Sequence, residues 1–248
     1  MKISIITVSY NSAETIEATF ISVLQQTYSD IEYIVIDGGS TDHTLKIAKK
    51  YKDLINVIVS EPDKGLYDAM NKGIKLASGD VIGFINSDDL FCDREAIEKV
   101  MNLFKMDDKL DSVYADLAYV SRHNTNKIRR NWVSGARKKF KTGWHPAHPT
   151  FYVKKIIYDK YGLFDMDYKL AADFEIMLRF LDRQKITSVY VEAQLVKMRL
   201  GGETNKSFKN IVSQNRECLK AFEKNGLKIS KVFYLFSRIV PKLVQFRR

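Results

Sequence analysis

The chain has 248 residues, 45% of them hydrophobic, and carries 40 Lys and Arg against 30 Asp and Glu, a formal charge of +10. That length builds one large domain, or one domain with a C-terminal appendage, and the charge favours anionic partners such as phosphorylated ligands, nucleic acid or acidic lipid. Cys92 and Cys218 stand far apart without a C-x-x-C pair, which argues against a disulfide framework and a structural zinc site; no run reaches the roughly 18 apolar residues of a membrane span, and MKISIITVSYN lacks a signal-peptide layout, so a cytoplasmic setting is expected.

Near-continuous apolar runs at 3–8, 33–36, 57–59 and 81–85 predict strands buried on both faces. Between them, 13–26, 41–51 and 66–77 predict helices, the first opened by Ser12 as an N-cap candidate and the third closed by Ser78-Gly79. This alternation implies βαβ units and a mainly parallel α/β sheet, whose ligands gather beyond the carboxyl ends of the strands. Three polar clusters fall there: SYNS at 9–12, DGGSTD at 37–42 and NSDD at 86–89. Each has a local alternative, since Ser12 and the aspartates are helix-cap types and Gly38-Gly39 suits a turn. Three clusters converging on one crevice favour a binding site.

The loop at 9–15 holds no glycine, and no G-x-x-x-x-G-K-[ST] occurs anywhere, so neither Gly-rich phosphate cradle is present. Asp88 and Asp89, adjacent at a strand end, instead suit a hard divalent cation that neutralises a diphosphate on its far side. Further along, Leu170, Phe174, Met177, Leu178 and Leu181 form one helical face, which puts Asp173 near a helix start. Glu175 and Arg179 have the spacing of an i, i+4 pair on an exposed face. His145 and His148 sit among prolines in GWHPAHPTFY, where a structural hydrogen-bonding role competes with a functional one. The segment at 201–204 reads as a closing loop or as a turn. In the C-terminal stretch, Val232, Leu235, Phe236, Ile239, Val240, Leu243 and Val244 share a stripe, opposite Lys231, Arg238 and Lys242, with Pro241 bending the helix; residues 224–248 hold seven basic and no acidic side chains. The pattern fits a helix packed on the domain or an interfacial helix on an anionic membrane.

TVSYNS at 7–12, DGGSTDHT at 37–44, DKGLYDAMNKGIKLASGD at 63–80, NSDD at 86–89, HPTFY at 148–152, GLFD at 162–165 and AADFEIMLRF at 171–180 together resemble the successive motifs of family 2 glycosyltransferases. The resemblance implies a GT-A fold over 1–202, with a nucleotide-binding part at 1–90 and an acceptor and catalytic part at 91–202, followed by a helical appendage at 203–248. It implies that Val8 and Tyr10 line the nucleotide base, that Asp37 binds the base edge, and that Asp88 and Asp89 form the DXD-type motif. Asp89 is then the direct ligand of Mn²⁺ or Mg²⁺ and Asp88 faces the ribose or donor sugar. Asp173 becomes the catalytic base, with His148 and Trp144 on the acceptor side. The chain departs from the pattern at Gly38, where many relatives carry a second Asp, and at Ala172, where many carry an acid. The Q-x-x-R-W signature of processive synthases is absent, so one sugar per encounter is expected. The implied partners are a UDP-sugar and a polyprenyl-diphosphate-linked acceptor of bacterial surface-polysaccharide assembly, at the inner face of the cytoplasmic membrane, and no nucleic acid. A basic membrane- or nucleic-acid-binding protein without turnover, and a sugar-nucleotide-forming enzyme, are the competing classes. Acids retained at the crevice disfavour the first and the missing Gly-rich loop disfavours the second.

Overall fold

The computed structural model describes residues 1–201 and 208–237. Strands β1 (Ile3–Ser9), β2 (Ile31–Asp37), β3 (Val57–Ser60) and β4 (Val81–Phe84) alternate with helices α1 (Ile16–Leu24), α2 (Thr44–Lys50) and α3 (Leu66–Leu76). The four strands run parallel in the order β3-β2-β1-β4. The apolar runs made β1, β2 and β4 legible because both faces are covered: Ile6 and Val8 enter one core cluster, Ile3 and Ile5 the other. The run at 57–59, expected to be buried on both faces, is instead the edge strand β3, with Val57, Ile58 and Val59 half-buried and Ser60 exposed. Close seating of α3 on β1 depends on Gly73, where a Cβ would stand 2.5 Å from Cγ2 of Ile6.

The second half makes the sheet mixed. It comprises β5 (Leu90–Phe91), α4 (Ala96–Met106), β6 (Ser112–Val120), β7 (Ile128–Trp132), β8 (Tyr152–Lys154), α5 (Lys155–Tyr161), α6 (Ala172–Leu178), a π-helical turn Arg179–Arg183, β9 (Ser188–Arg199) and α7 (Phe208–Lys224). Strand β8 joins β4 and β6 antiparallel, β9 runs parallel to β6, β5 pairs antiparallel with β9, and β7 folds back on β6.

Two local expectations are corrected. Residue Thr15, not Ser12, precedes α1, and no side chain caps it; the Ser12 carbonyl takes the Thr15 and Ile16 amides while its hydroxyl reaches Ser87 at 2.8 Å. Glu175 and Arg179 do pair, at 2.9 Å, but in the interior, with side chains 3% and 16% exposed. They are buried because α7 lies over them: Cys218, Ala221 and Phe222 share the core cluster of Phe174 and Met177, and Asn225 Nδ2 donates to Glu175 Oε1 at 3.0 Å.

A helical stretch follows at 231–237. Of the apolar stripe expected there, Leu235 packs against the core, Tyr234 is buried, and Val232, Phe233 and Phe236 are exposed. Ile239, Val240, Leu243 and Val244, the basic Arg238 and Lys242, and the loop at 202–204 lie outside the described residues. Among those described, no helix is long and apolar enough to cross a membrane.

Candidate active site

The three polar clusters do meet at the carboxyl edge of the parallel half, where they are laced together. The register aligns Ser9 with Asp37, and Asn11, held at φ +48°, accepts the Thr41 amide through Oδ1 at 2.9 Å. The Ser12 amide donates to Thr44 Oγ1 at 2.8 Å. With the Ser12–Ser87 contact, the loops after β1, β2 and β4 form one rim.

The Asp37 carboxylate is 1% exposed and committed to that rim. Its Oδ1 accepts the hydroxyls of Ser9 and Ser40, and its Oδ2 accepts the Gly39 and Ser40 amides and the Ser60 hydroxyl. Val8 is buried in the core cluster of Ile36 and Tyr67, whereas Tyr10, one position past β1, is 63% exposed.

Asp89 is fully buried. Its Oδ2 accepts Asn86 Nδ2 at 2.8 Å, its carbonyl takes the Thr19 hydroxyl at 2.8 Å, and its Oδ1 has no hydrogen-bond partner among the described residues. Burial, and then the charge of Asp88, pushes its carboxyl well above the ordinary value; burial also raises Asp88, against the opposing charges of Arg199 and Arg122. An orphaned buried carboxylate oxygen beside a second carboxylate is a costly arrangement. A hard divalent cation relieves it, with oxygen donors of the type Mn²⁺ and Mg²⁺ prefer. The pair therefore fits a metal, although the described residues contain no cluster of three protein ligands. Arg199, at the end of β9, donates to the Asp88 carbonyl and the Arg122 carbonyl. Sequence reasoning missed it, because a terminal arginine of a half-polar strand reads as surface charge.

Asp173 sits in the first turn of α6. Its Oδ1 accepts Tyr67 Oη at 3.2 Å and the Phe174 amide at 2.8 Å; Oδ2 takes no hydrogen bond from the described residues. Burial and then the charge of Asp173 raise the Tyr67 phenol well above its usual value, so it remains a donor. The segment before α6 is fixed by α7, whose Glu217 Oε2 accepts the Leu170 amide at 2.8 Å and the Ala171 amide at 2.9 Å. The Tyr119 phenol is raised first by burial and then, against Arg130, by the charges of Asp89 and Asp173. The Arg130 guanidinium lies over the Tyr119 ring at 4.1 Å and Trp132 stacks on it.

His148 packs between the rings of Phe84 and Phe164. Burial lowers its pKa while the charge of Asp173 acts the other way. Trp144 donates from Nε1 to the Ser134 carbonyl at 2.7 Å and packs against Tyr114 and Phe140. His145 lies against Trp132 and Phe174.

A parallel half and a mixed half meeting at paired carboxylates is the GT-A architecture. Over 96% of its length the chain superposes on S. aureus TarS 1-349 in complex with UDP-GlcNAc, with a TM-score of 0.68 at 16% identity, covering 70% of that chain. It also superposes on the Mannosyltransferase PcManGT from Pyrobaculum calidifontis, in complex with GDP-Man and Mn2+, with a TM-score of 0.66 at 15% identity, covering 96% of this chain and 73% of that one. The chain belongs to glycosyltransferase family 2: the model described as Glycosyl transferase family 2 matches residues 4–166. Among its relatives, a "PGL/p-HBAD biosynthesis glycosyltransferase" of Mycobacterium bovis is 28% identical over 206 residues, 82% of this chain and 78% of that protein. An uncharacterized glycosyltransferase of Mycobacterium tuberculosis is 31% identical over 180 residues, 71% of this chain and 68% of its own length.

Proposed function

We propose that this family 2 enzyme transfers a single hexosyl or N-acetylhexosaminyl group, with inversion, from a UDP-sugar to a lipid-diphosphate-linked sugar of bacterial surface-polysaccharide assembly, at the inner face of the cytoplasmic membrane. The observation that carries the reading is the unpartnered, buried Asp89 Oδ1 beside Asp88, with Asp173 in the first turn of α6. Asp88 and Asp89 would hold Mn²⁺ or Mg²⁺, which as a Lewis acid stabilises the diphosphate as it departs.

Asp173 accepts the proton of the acceptor hydroxyl through its uncommitted Oδ2 as that oxygen bonds to the anomeric carbon. The bond from the anomeric carbon to the diphosphate breaks, and its electron pair leaves with the nucleoside diphosphate. With one base and no second carboxylate assigned as a nucleophile, the displacement is direct and inverts configuration. Tyr67 orients the base. Tyr119, Trp132 and Arg130 present aromatic surface and positive charge to a sugar linked to diphosphate. The exposed Val232, Phe233 and Phe236, beside Lys231, suit the membrane surface where such an acceptor resides. The fold neighbour bound to UDP-GlcNAc supports the choice of donor class.

The test is mass-spectrometric detection of transfer from a panel of UDP-sugars to GlcNAc- and GalNAc-diphosphate-lipids, with Mn²⁺ or EDTA. Product is expected only with metal, is lost in Asp89→Ala, and falls about 10²- to 10⁴-fold in Asp173→Asn while UDP binding persists. If wild type binds no nucleoside diphosphate with metal, the donor-site reading fails.

A further inference from the structure

We propose that Asp63, rather than Asp37, is the carboxylate that recognises the nucleotide base, and that it selects donors whose base presents a ring N–H. The inference rests on the nucleotide-sugar reading given above and adds the residue that reads the base.

Asp37 occupies the place where base recognition is expected, yet it has no acceptor capacity left. Five internal donors converge on its two oxygens, and a carboxylate offers about four lone-pair sites. Its carboxylate is also 1% exposed, so a base meets the rim that Asp37 builds and not Asp37 itself. The next position is Gly38, whose amide donates to the Ser9 carbonyl at 2.9 Å and so places it across from the end of β1, where the exposed Tyr10 follows.

Gly38 contributes no side chain to that mouth, and another residue fills its place. A Cβ built on Gly38 would lie 2.4 Å from Oδ2 and 3.1 Å from Cγ of Asp63. The Asp63 carboxylate thus occupies the space that an acidic side chain at 38 would use, delivered from the loop between β3 and α3. It is held there through Oδ1, which accepts the Gly65 amide at 2.8 Å; Gly65 is at φ +110°, a conformation that favours glycine. Oδ2 accepts no hydrogen bond from the described residues, and Asp63 is half-exposed. One carboxylate is saturated and sealed; its neighbour in space has one oxygen fixed and the other available.

An available carboxylate oxygen accepts hydrogen bonds and donates none. Uracil offers it N3–H, and guanine offers N1–H and the 2-amino group. Cytosine and adenine present a ring lone pair on the corresponding edge, which a carboxylate repels. The Tyr10 ring, exposed at the same mouth, supplies a stacking surface for any base.

Calorimetric titration of UDP, GDP, CDP and ADP with Mn²⁺ tests the assignment, on wild type, Asp63→Ala, Asp63→Asn and the double variant Gly38→Asp/Asp63→Ala. Wild type is expected to bind UDP or GDP about tenfold or more tightly than CDP and ADP, the range of one hydrogen bond to a charged group. In Asp63→Ala and Asp63→Asn that preference falls to within about threefold. Restoring a carboxylate from the other side, in Gly38→Asp/Asp63→Ala, returns it; a merely structural role for Asp63 would not produce this rescue. Gly38 has an ordinary negative-side backbone conformation, so the added side chain is accommodated once Asp63 is shortened. An unchanged UDP-to-CDP ratio in Asp63→Ala overturns the assignment and leaves the nucleotide site standing. Absence of binding by every nucleotide to wild type overturns both.

Discussion

Tyr67 shows how one hydroxyl sets the geometry of the proposed base without touching the donor. Its 3.2 Å contact fixes Oδ1 of Asp173, which leaves Oδ2 for the acceptor. Replacing Tyr67 by Phe keeps the ring stacked on Phe164 and removes only that hydrogen bond. We expect kcat to fall about tenfold or more, the magnitude of one hydrogen bond to a charged group, with the Kd for UDP unchanged; steady-state kinetics paired with calorimetry checks both. At this scale the sequence was informative about carboxylates and poor about their partners. Asp37, Asp88, Asp89 and Asp173 stand out because each follows an apolar strand or opens an apolar helix. Tyr67, Arg199 and Glu217 do not, because their roles depend on residues far away in the chain: 106 positions separate Tyr67 from Asp173 and 111 separate Arg199 from Asp88.

The elements follow the same division. Strands β1, β2 and β4 are apolar runs covered on both sides, so their burial is written in composition alone, whereas β3 at the sheet edge is only half-buried. β7 is IRRNW, mostly exposed, and β9 mixes polar and apolar residues over 12 positions, so neither shows a single period and the antiparallel additions stayed unread. Spacing revealed the Glu175–Arg179 pair but not its burial, which is imposed by α7. Arg179 also donates to the carbonyls of Tyr161 and Leu163, tying α6 to the end of α5. Arg179→Leu removes one partner and strands the other charge in the interior, so a loss of about 3–5 kcal/mol is expected, measured by urea denaturation. Glu175→Gln, which retains hydrogen-bonding capacity toward Arg179 and Asn225, is expected to cost less.

For the whole molecule, α7 clamps onto α6 and the segment before it, and its grip depends on acid–base state. Lys224 bonds to both Asp165 and Asp167. Burial works to raise the Asp165 carboxyl, but the hydrogen bond from Lys224, the Asp167 amide and the nearby positive charges outweigh it and hold it below the ordinary 3.8. A carboxyl whose folded pKa is depressed adds stability that is complete above its unfolded value and lost as the pH falls through the folded one. Thermal stability is therefore expected to decline below about pH 4 in wild type, and Lys224→Met to flatten the part of that decline due to Asp165, as followed by melting curves between pH 2 and 7. The seat that Glu217 gives to residues 169–171 has a further meaning during synthesis. Strands β1 to β4 can assemble from the earliest segment to leave the ribosome, since N-terminal units generally fold first. The segment leading into α6 and Asp173 must wait for a carboxylate translated well after it. A nascent chain would thus complete the strands behind its polar rim before the approach to Asp173 is locked.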